Sequence, residues 1–148
     1  MRYKIEKNTV QETLIIPLYA RKMCSELYPS LYRDEAARRL VNAVDYDFSA
    51  LEKKSRNSMQ RFGFLEVAMR QYLKSHPNAA VVNLGCGLDS TGRACDNGKC
   101  KLYNLDFPDV IAVRNELLPA REREENIPCD LNDTSWFERI DASGGAVF

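Results

Sequence analysis

The chain has 148 residues, 45% of them apolar, and 21 lysines and arginines balance 21 aspartates and glutamates. At about 100–150 residues per domain, that is enough for one domain with a core of its own. The balanced charge gives no electrostatic footprint for nucleic acid or an anionic membrane, and no apolar run reaches the ~18 residues of a membrane span or resembles a leader peptide, so the chain is expected to be cytoplasmic.

Residues 1–78 read as a helical segment. Leu14, Ile15, Leu18, Met23 and Leu27 put an apolar face on a helix over 13–27, with Pro17 at its start or at a kink. Asp34 is placed to cap a second helix whose inner face is Ala36, Ala37, Leu40, Val41 and Val44. After a connector, DYDFSALEKKS, a longer helix over 57–74 carries Phe62, Leu65, Met69, Tyr72 and Leu73 as a stripe expected to pack in the core.

The pattern changes at His76-Pro77-Asn78. Ala79 to Leu84 is short, β-branched and continuously apolar, which suits a strand buried on both faces of a parallel sheet. A glycine-rich turn, a loop and hairpin over Gly92–Lys99, and a second strand, KLYNLDF, follow. Then come a helix over Asp109–Leu118 between two prolines, a third strand over Asn126–Asp130, a short helix WFERI, and a fourth strand starting at Ala146. Strands alternating with helices predict a doubly wound α/β sheet over 79–148.

The five cysteines form no CxxC pair, and an odd count argues for reduced thiols rather than a disulfide framework. Cys95 and Cys100 flank a short turn, but two thiols do not complete a tetrahedral zinc shell, and no metal is expected. The single histidine, His76, reads as a solvated loop residue.

The chemistry-bearing segment is Val81-Val82-Asn83-Leu84-Gly85-Cys86-Gly87-Leu88-Asp89-Ser90. A buried strand runs into Gly-x-Gly, where positive φ and close approach of a ligand to the backbone are permitted. The turn lies at the carboxyl end of the strand, where open α/β sheets bind ligands. A plain strand-to-loop turn would use the same residues. Asp106 ends the second strand 19 residues after Gly87, at the spacing of a carboxylate that accepts from both ribose hydroxyls. It equally suits the start of the helix that follows, and the two roles are compatible. Ser90 stands where a dinucleotide fingerprint has its third glycine, which favours S-adenosylmethionine over NAD. Asp130-Leu131 closes the third strand, where a carboxylate can accept from an adenine amino group, although an Asx turn or cap would also place an aspartate there.

Taken in order, VVNLGCGLDS, YNLDFPDVIAVRNELLP and CDLNDTSWFERI resemble the leucine carboxyl methyltransferase family, which includes the polyketide-type O-methyltransferases. The N-terminal ARKMCSELYPSLYRDEAARRLV resembles the helical entry segment of those enzymes. The resemblance implies S-adenosylmethionine as cofactor and assigns residues to it. Arg61, 24 residues before Gly85, would pair with the methionine carboxylate, with Arg56 as its alternate. Gly85 and Gly87 would form the cofactor loop, and Asp89 would hold the cofactor amino group or brace that loop. Asp106 would hold the ribose, and Asp130 and Leu131 would contact adenine. The family often has Thr-Arg after Leu-Asp; here Ser90-Thr91-Gly92-Arg93 follows.

The implied fold is an N-terminal helical cap or lid segment over 1–78, followed by the first half of a Rossmann-like methyltransferase sheet over 79–148. A complete sheet of this class has strand order 3-2-1-4-5-7-6, so the chain is expected to be truncated, with a central strand whose exposed edge invites pairing with another chain. The implied activity is methyl transfer to a carboxylate or hydroxyl of a small-molecule or protein acceptor, with no catalytic base identified. The competing readings are a non-catalytic α/β interaction module and a fragment of an NAD-dependent dehydrogenase.

Overall fold

The computed structural model describes residues 2–7, 9–51 and 60–148. It divides into two compact units, Met1–Leu65 with Leu88–Ser90, and Glu66–Gly87 with Thr91–Phe148.

The first unit holds strand β1 (Tyr3–Lys4), helices α1 (Val10–Thr13), α2 (Ile15–Leu27) and α3 (Glu35–Ala43), strand β2 (Val44–Asp45) and a 3-10 turn at Ser49–Leu51. Pro17 falls in the first turn of α2, where its missing N–H has no intrahelical partner to lose. Asp34 caps α3 as expected, its carboxylate accepting from the Ala37 N–H at 2.7 Å. Ile15, Leu18, Ala20, Ala37, Leu40 and Val44 are buried and form the apolar interior of this unit. The short strands β1 and β2 pair in parallel, with Tyr3 opposite Val44 and Lys4 opposite Asp45. Two-residue strands carry too little alternation to stand out in a sequence.

The division between the units falls within helix α4 (Gln60–Ser75). Of the stripe expected along this helix, Leu73 is fully buried, Met69 and Tyr72 are partly buried against the same cluster, and Leu65 is exposed.

The second unit is built on a four-stranded parallel sheet of β3 (Ala80–Leu84), β4 (Lys101–Asp106), β5 (Glu124–Pro128) and β6 (Ala146–Val147), in the order β5-β4-β3-β6. In order of appearance that is 3-2-1-4, as the α/β reading expects. β3 and β4 run in register from Ala80 opposite Lys101 to Leu84 opposite Leu105. Their side chains alternate between two cores. Val81 and Leu102 join Leu73, Ala79, Cys95 and Cys100 on one face, while Ala80, Val82, Tyr103 and Leu105 join Ile127 and Trp136 on the other. Burial on both faces is why β3 reads as an unbroken apolar run.

Gly92–Cys95, expected within a loop and hairpin over Gly92–Lys99, instead belong to a short helix, α5 (Thr91–Cys95). Gly92 lies against Leu102 and Val81, so the segment packs on the sheet rather than projecting from it. Helix α6 (Pro108–Leu117) begins with Pro108, pre-set for the first helical position, and buries Val110, Ile111 and Val113. A 3-10 helix over Thr134–Arg139 buries Trp136, with Asp133 capping it through Ser135. Among the described residues, no helix is long and apolar enough to cross a membrane.

Candidate functional site

The glycine turn leaves β3 with both glycines in the left-handed region, Gly85 at φ 62° and Gly87 at φ 46°. An L side chain costs about 1–2 kcal/mol in that conformation, so the backbone itself selects glycine here. A Cβ built on Gly85 would meet nothing within 4 Å. At that position the requirement is conformational, and the space beside the turn is open.

Asp106, at the end of β4, closes onto the same turn. Its Oδ2 accepts from the Gly87 N–H at 2.8 Å, and its Oδ1 accepts from the Phe107 N–H at 2.8 Å. Two residues 19 apart in sequence, singled out for one ligand, are therefore in direct contact. The bond to Phe107 also places the carboxylate at the entrance to α6, the position expected of an acid at the start of that helix. A carboxylate offers about four lone-pair acceptor sites. Two backbone N–H groups use half of that capacity, and the rest suits a pair of adjacent hydroxyls.

The other side of Gly87 is held by a residue that sequence reasoning passed over. Arg114 of α6 is completely buried, and its Nη1 donates to the Gly87 carbonyl at 2.8 Å. Its Nε donates to Asn126 Oδ1 at 3.0 Å, and its Nη2 lies 3.5 Å from Glu124 Oε1. Glu124 also accepts from Arg93 Nε at 2.8 and 3.0 Å and from Asn104 Nδ2 at 2.8 Å. Buried charges persist only when paired and hydrogen-bonded, and this cluster meets that condition. Its effect is to clamp the Gly87 peptide between β4 and α6.

Asp130 and Leu131 follow β5 and are exposed. Asp130 forms an Asx turn, its Oδ1 accepting from the Asn132 N–H and side-chain amide at 2.9 Å each. The cap of the following 3-10 helix is Asp133, not Asp130. Leu84 at the end of β3 and Phe107 after β4 are also exposed. The carboxyl ends of three adjacent strands thus each present an apolar side chain to solvent.

Arg61 lies in α4, and Arg56 lies outside the described residues. Asp89 belongs to the first unit, where its Oδ1 lies 3.4 Å from Nη1 of the buried Arg21. Arg21 Nε donates to Asp34 Oδ2 at 3.1 Å, and its Nη2 donates to the Leu88 carbonyl at 2.6 Å. Arg21 appeared in the sequence only within the helical entry segment, and Asp34 only as a cap. Nearby, burial and then the Asp34 charge push the Tyr32 phenol above its ordinary pKa, so it stays a donor to Asp34 Oδ2.

The sequence profile described as leucine carboxyl methyltransferase matches residues 15–146. The chain is 31% identical over 135 residues to the tetracenomycin polyketide synthesis O-methyltransferase TcmP of Streptomyces glaucescens, covering 88% of this chain and 50% of that protein. It is 28% identical over 150 residues to the S-adenosyl-L-methionine-dependent methyltransferase dpfgK of Gibberella zeae, covering 90% of this chain and 50% of that one. The chain therefore spans about half the length of these relatives.

Proposed function

Because the chain belongs to the leucine carboxyl methyltransferase family, we propose that it carries the S-adenosylmethionine-binding portion of an O-methyltransferase acting on a carboxylate or hydroxyl. The observation that carries this reading is the bond from the Gly87 N–H to Asp106 Oδ2, which joins the glycine turn to the carboxylate at the end of β4. Family membership favours the methyl donor over a nicotinamide cofactor, and over a module that binds no nucleotide.

The residues fit the group. Gly85 borders open space, Asp106 keeps acceptor capacity for a ribose diol, and Phe107 and Leu131 supply exposed apolar surface for a purine. In this reading Asp130 accepts from the adenine amino group while its Oδ1 maintains the Asx turn. The roles of Arg61 at the methionine carboxylate and Asp89 at the amino group rest on the family pattern. When bound, S-adenosylmethionine supplies an electrophilic sulfonium methyl group. The chain's own contribution is positioning: a rigid turn, clamped by Asp106 and Arg114, fixes where the nucleoside lies. Holding reactants in an attacking geometry is a large part of catalysis in such displacements.

Calorimetric titration of the chain with S-adenosylmethionine, with NAD as control, tests the reading. Saturable binding of the methyl donor alone is expected. Asp106→Ala removes two charge-assisted bonds to ribose of about 1.5 kcal/mol each, so its affinity should fall roughly a hundredfold. Asp106→Asn, which keeps an acceptor for the Gly87 N–H, separates loss of the ligand bonds from loss of the turn. Absence of binding to the folded wild-type chain, or equal binding by Asp106→Ala, defeats the proposal.

A further inference from the structure

We infer that Asn97 is a self-modification site: the turn that holds it promotes attack of the Gly98 nitrogen on the Asn97 side-chain amide, converting asparagine to aspartate and isoaspartate through a cyclic imide. Asn97 is the only asparagine in the chain followed by a glycine. It lies in the turn between α5 and β4, and every group involved belongs to the second unit. Asn97 and Gly98 are both exposed, so water reaches them. Glycine leaves its own nitrogen uncrowded. Gly98 sits at φ 80°, and a Cβ built there would meet nothing within 4 Å.

The surrounding bonds match what the reaction needs. Asn97 Oδ1 accepts from the Lys99 N–H at 2.9 Å and from the Cys100 N–H at 2.8 Å. Two main-chain donors on one carbonyl oxygen at that range form an oxyanion hole. The Gly98 N–H donates to Asp96 Oδ1 at 2.8 Å, which puts a carboxylate base on the attacking nitrogen. Asn97 Nδ2 donates to the Pro77 carbonyl at 2.9 Å, which fixes the plane of the amide. As the Gly98 nitrogen bonds to Asn97 Cγ, its proton passes to Asp96, and the carbonyl electron pair moves onto Oδ1. The intermediate then breaks its Cγ–Nδ2 bond, Nδ2 recovers the proton and ammonia departs. Water opens the five-membered ring at either carbonyl, giving aspartate or isoaspartate, and no other reactant is consumed. The bonds that hold the amide also restrain the ground state, by about fivefold each for neutral hydrogen bonds. The donors to Oδ1 strengthen as that oxygen becomes negative, and a positioned base alone contributes about a hundredfold, so promotion outweighs restraint.

The test incubates the 148-residue chain at neutral pH, folded in buffer and unfolded in urea, and follows position 97 by peptide mass spectrometry with aspartate and isoaspartate separated. Isoaspartate should accumulate about tenfold faster in the folded chain than in the unfolded one. Asp96→Asn should slow the folded chain about tenfold or more and leave the rate in urea unchanged. Thermal unfolding of the variant is followed in parallel, and the comparison of folded with unfolded wild type decides the matter even where the variant fails to fold. A folded wild type that reacts no faster than the unfolded chain means that the turn shields Asn97, and overturns the inference. Equal folded rates for wild type and a folded Asp96→Asn remove the base, and the mechanism with it. Aspartate formed without isoaspartate shows direct hydrolysis and overturns the cyclic route.

Discussion

Gly85 and Gly87 are held in the left-handed region for separable reasons. Gly87 is gripped on both sides, its N–H by Asp106 and its carbonyl by Arg114, whereas Gly85 borders open space. A side chain at position 85 therefore meets only the backbone penalty. Gly85→Ala should destabilise the chain by about 1–2 kcal/mol in urea unfolding, and Gly85→Asn by less, because asparagine visits the left-handed region more readily. Equal losses for the two variants would mean that space, not φ, decides the position. The glycines and Asp106 were legible because their spacing after an apolar strand is a linear pattern. Arg114 and Arg21 were not. A lone arginine on a helix reads as a solvated residue, and only the folded chain shows which guanidinium meets a carbonyl.

Glu124, at the start of β5, links the elements around it. Its side chain is 1% exposed, and it accepts from Arg93 on α5 and Asn104 on β4 while facing Arg114 on α6. Arg93 Nη2 continues to the Leu118 and Pro119 carbonyls at 3.2 and 2.6 Å, which secures the end of α6. Removing one partner of a buried ion pair typically costs about 3–5 kcal/mol, because the remaining charge loses its compensation. Glu124→Ala should show a loss of that order by chemical denaturation. The exposed pair Lys101–Asp141, 2.6 Å apart with both side chains half in water, should lose far less when Lys101 is replaced. Comparable losses at the two sites would argue that the buried cluster is not what binds these elements together. The same network explains why α5 was not foreseen. Five residues, Thr91–Cys95, are too few to establish a helical period, and the bond from Arg93 to Glu124 spans 31 positions.

Across the molecule, the order β5-β4-β3-β6 was readable because β3 and β4 are apolar on both faces and separated by helical or turn signals. The pair β1 and β2 was not, since two residues per strand leave no alternation to read. The charge balance has its own consequence. With 21 basic and 21 acidic residues the chain is neutral near pH 7, and acidification strips the acidic half, leaving a self-repelling cation. Specific carboxylates set where that begins to cost stability. Burial raises the pKa of Asp96, but donation from the Gly98 N–H, the Cys100 thiol and Arg123 outweighs it, and the net shift is downward. Asp141 is held far below the ordinary range, first by the bond from Lys101, and Asp133 is lowered by the Ser135 N–H. A carboxylate whose pKa is lower folded than unfolded contributes stability that is present in full above its unfolded value, about 3.9, and lost as pH falls through its folded value. Melting temperature should therefore decline below about pH 4. Asp96→Asn should melt below the wild type at pH 6, with the gap narrowing towards pH 2 as the wild-type carboxylate takes up its proton. Thermal denaturation of both proteins across that range is the measurement. A gap that stays constant from pH 6 to pH 2 would show that Asp96 acts through its neutral contacts and not through its charge.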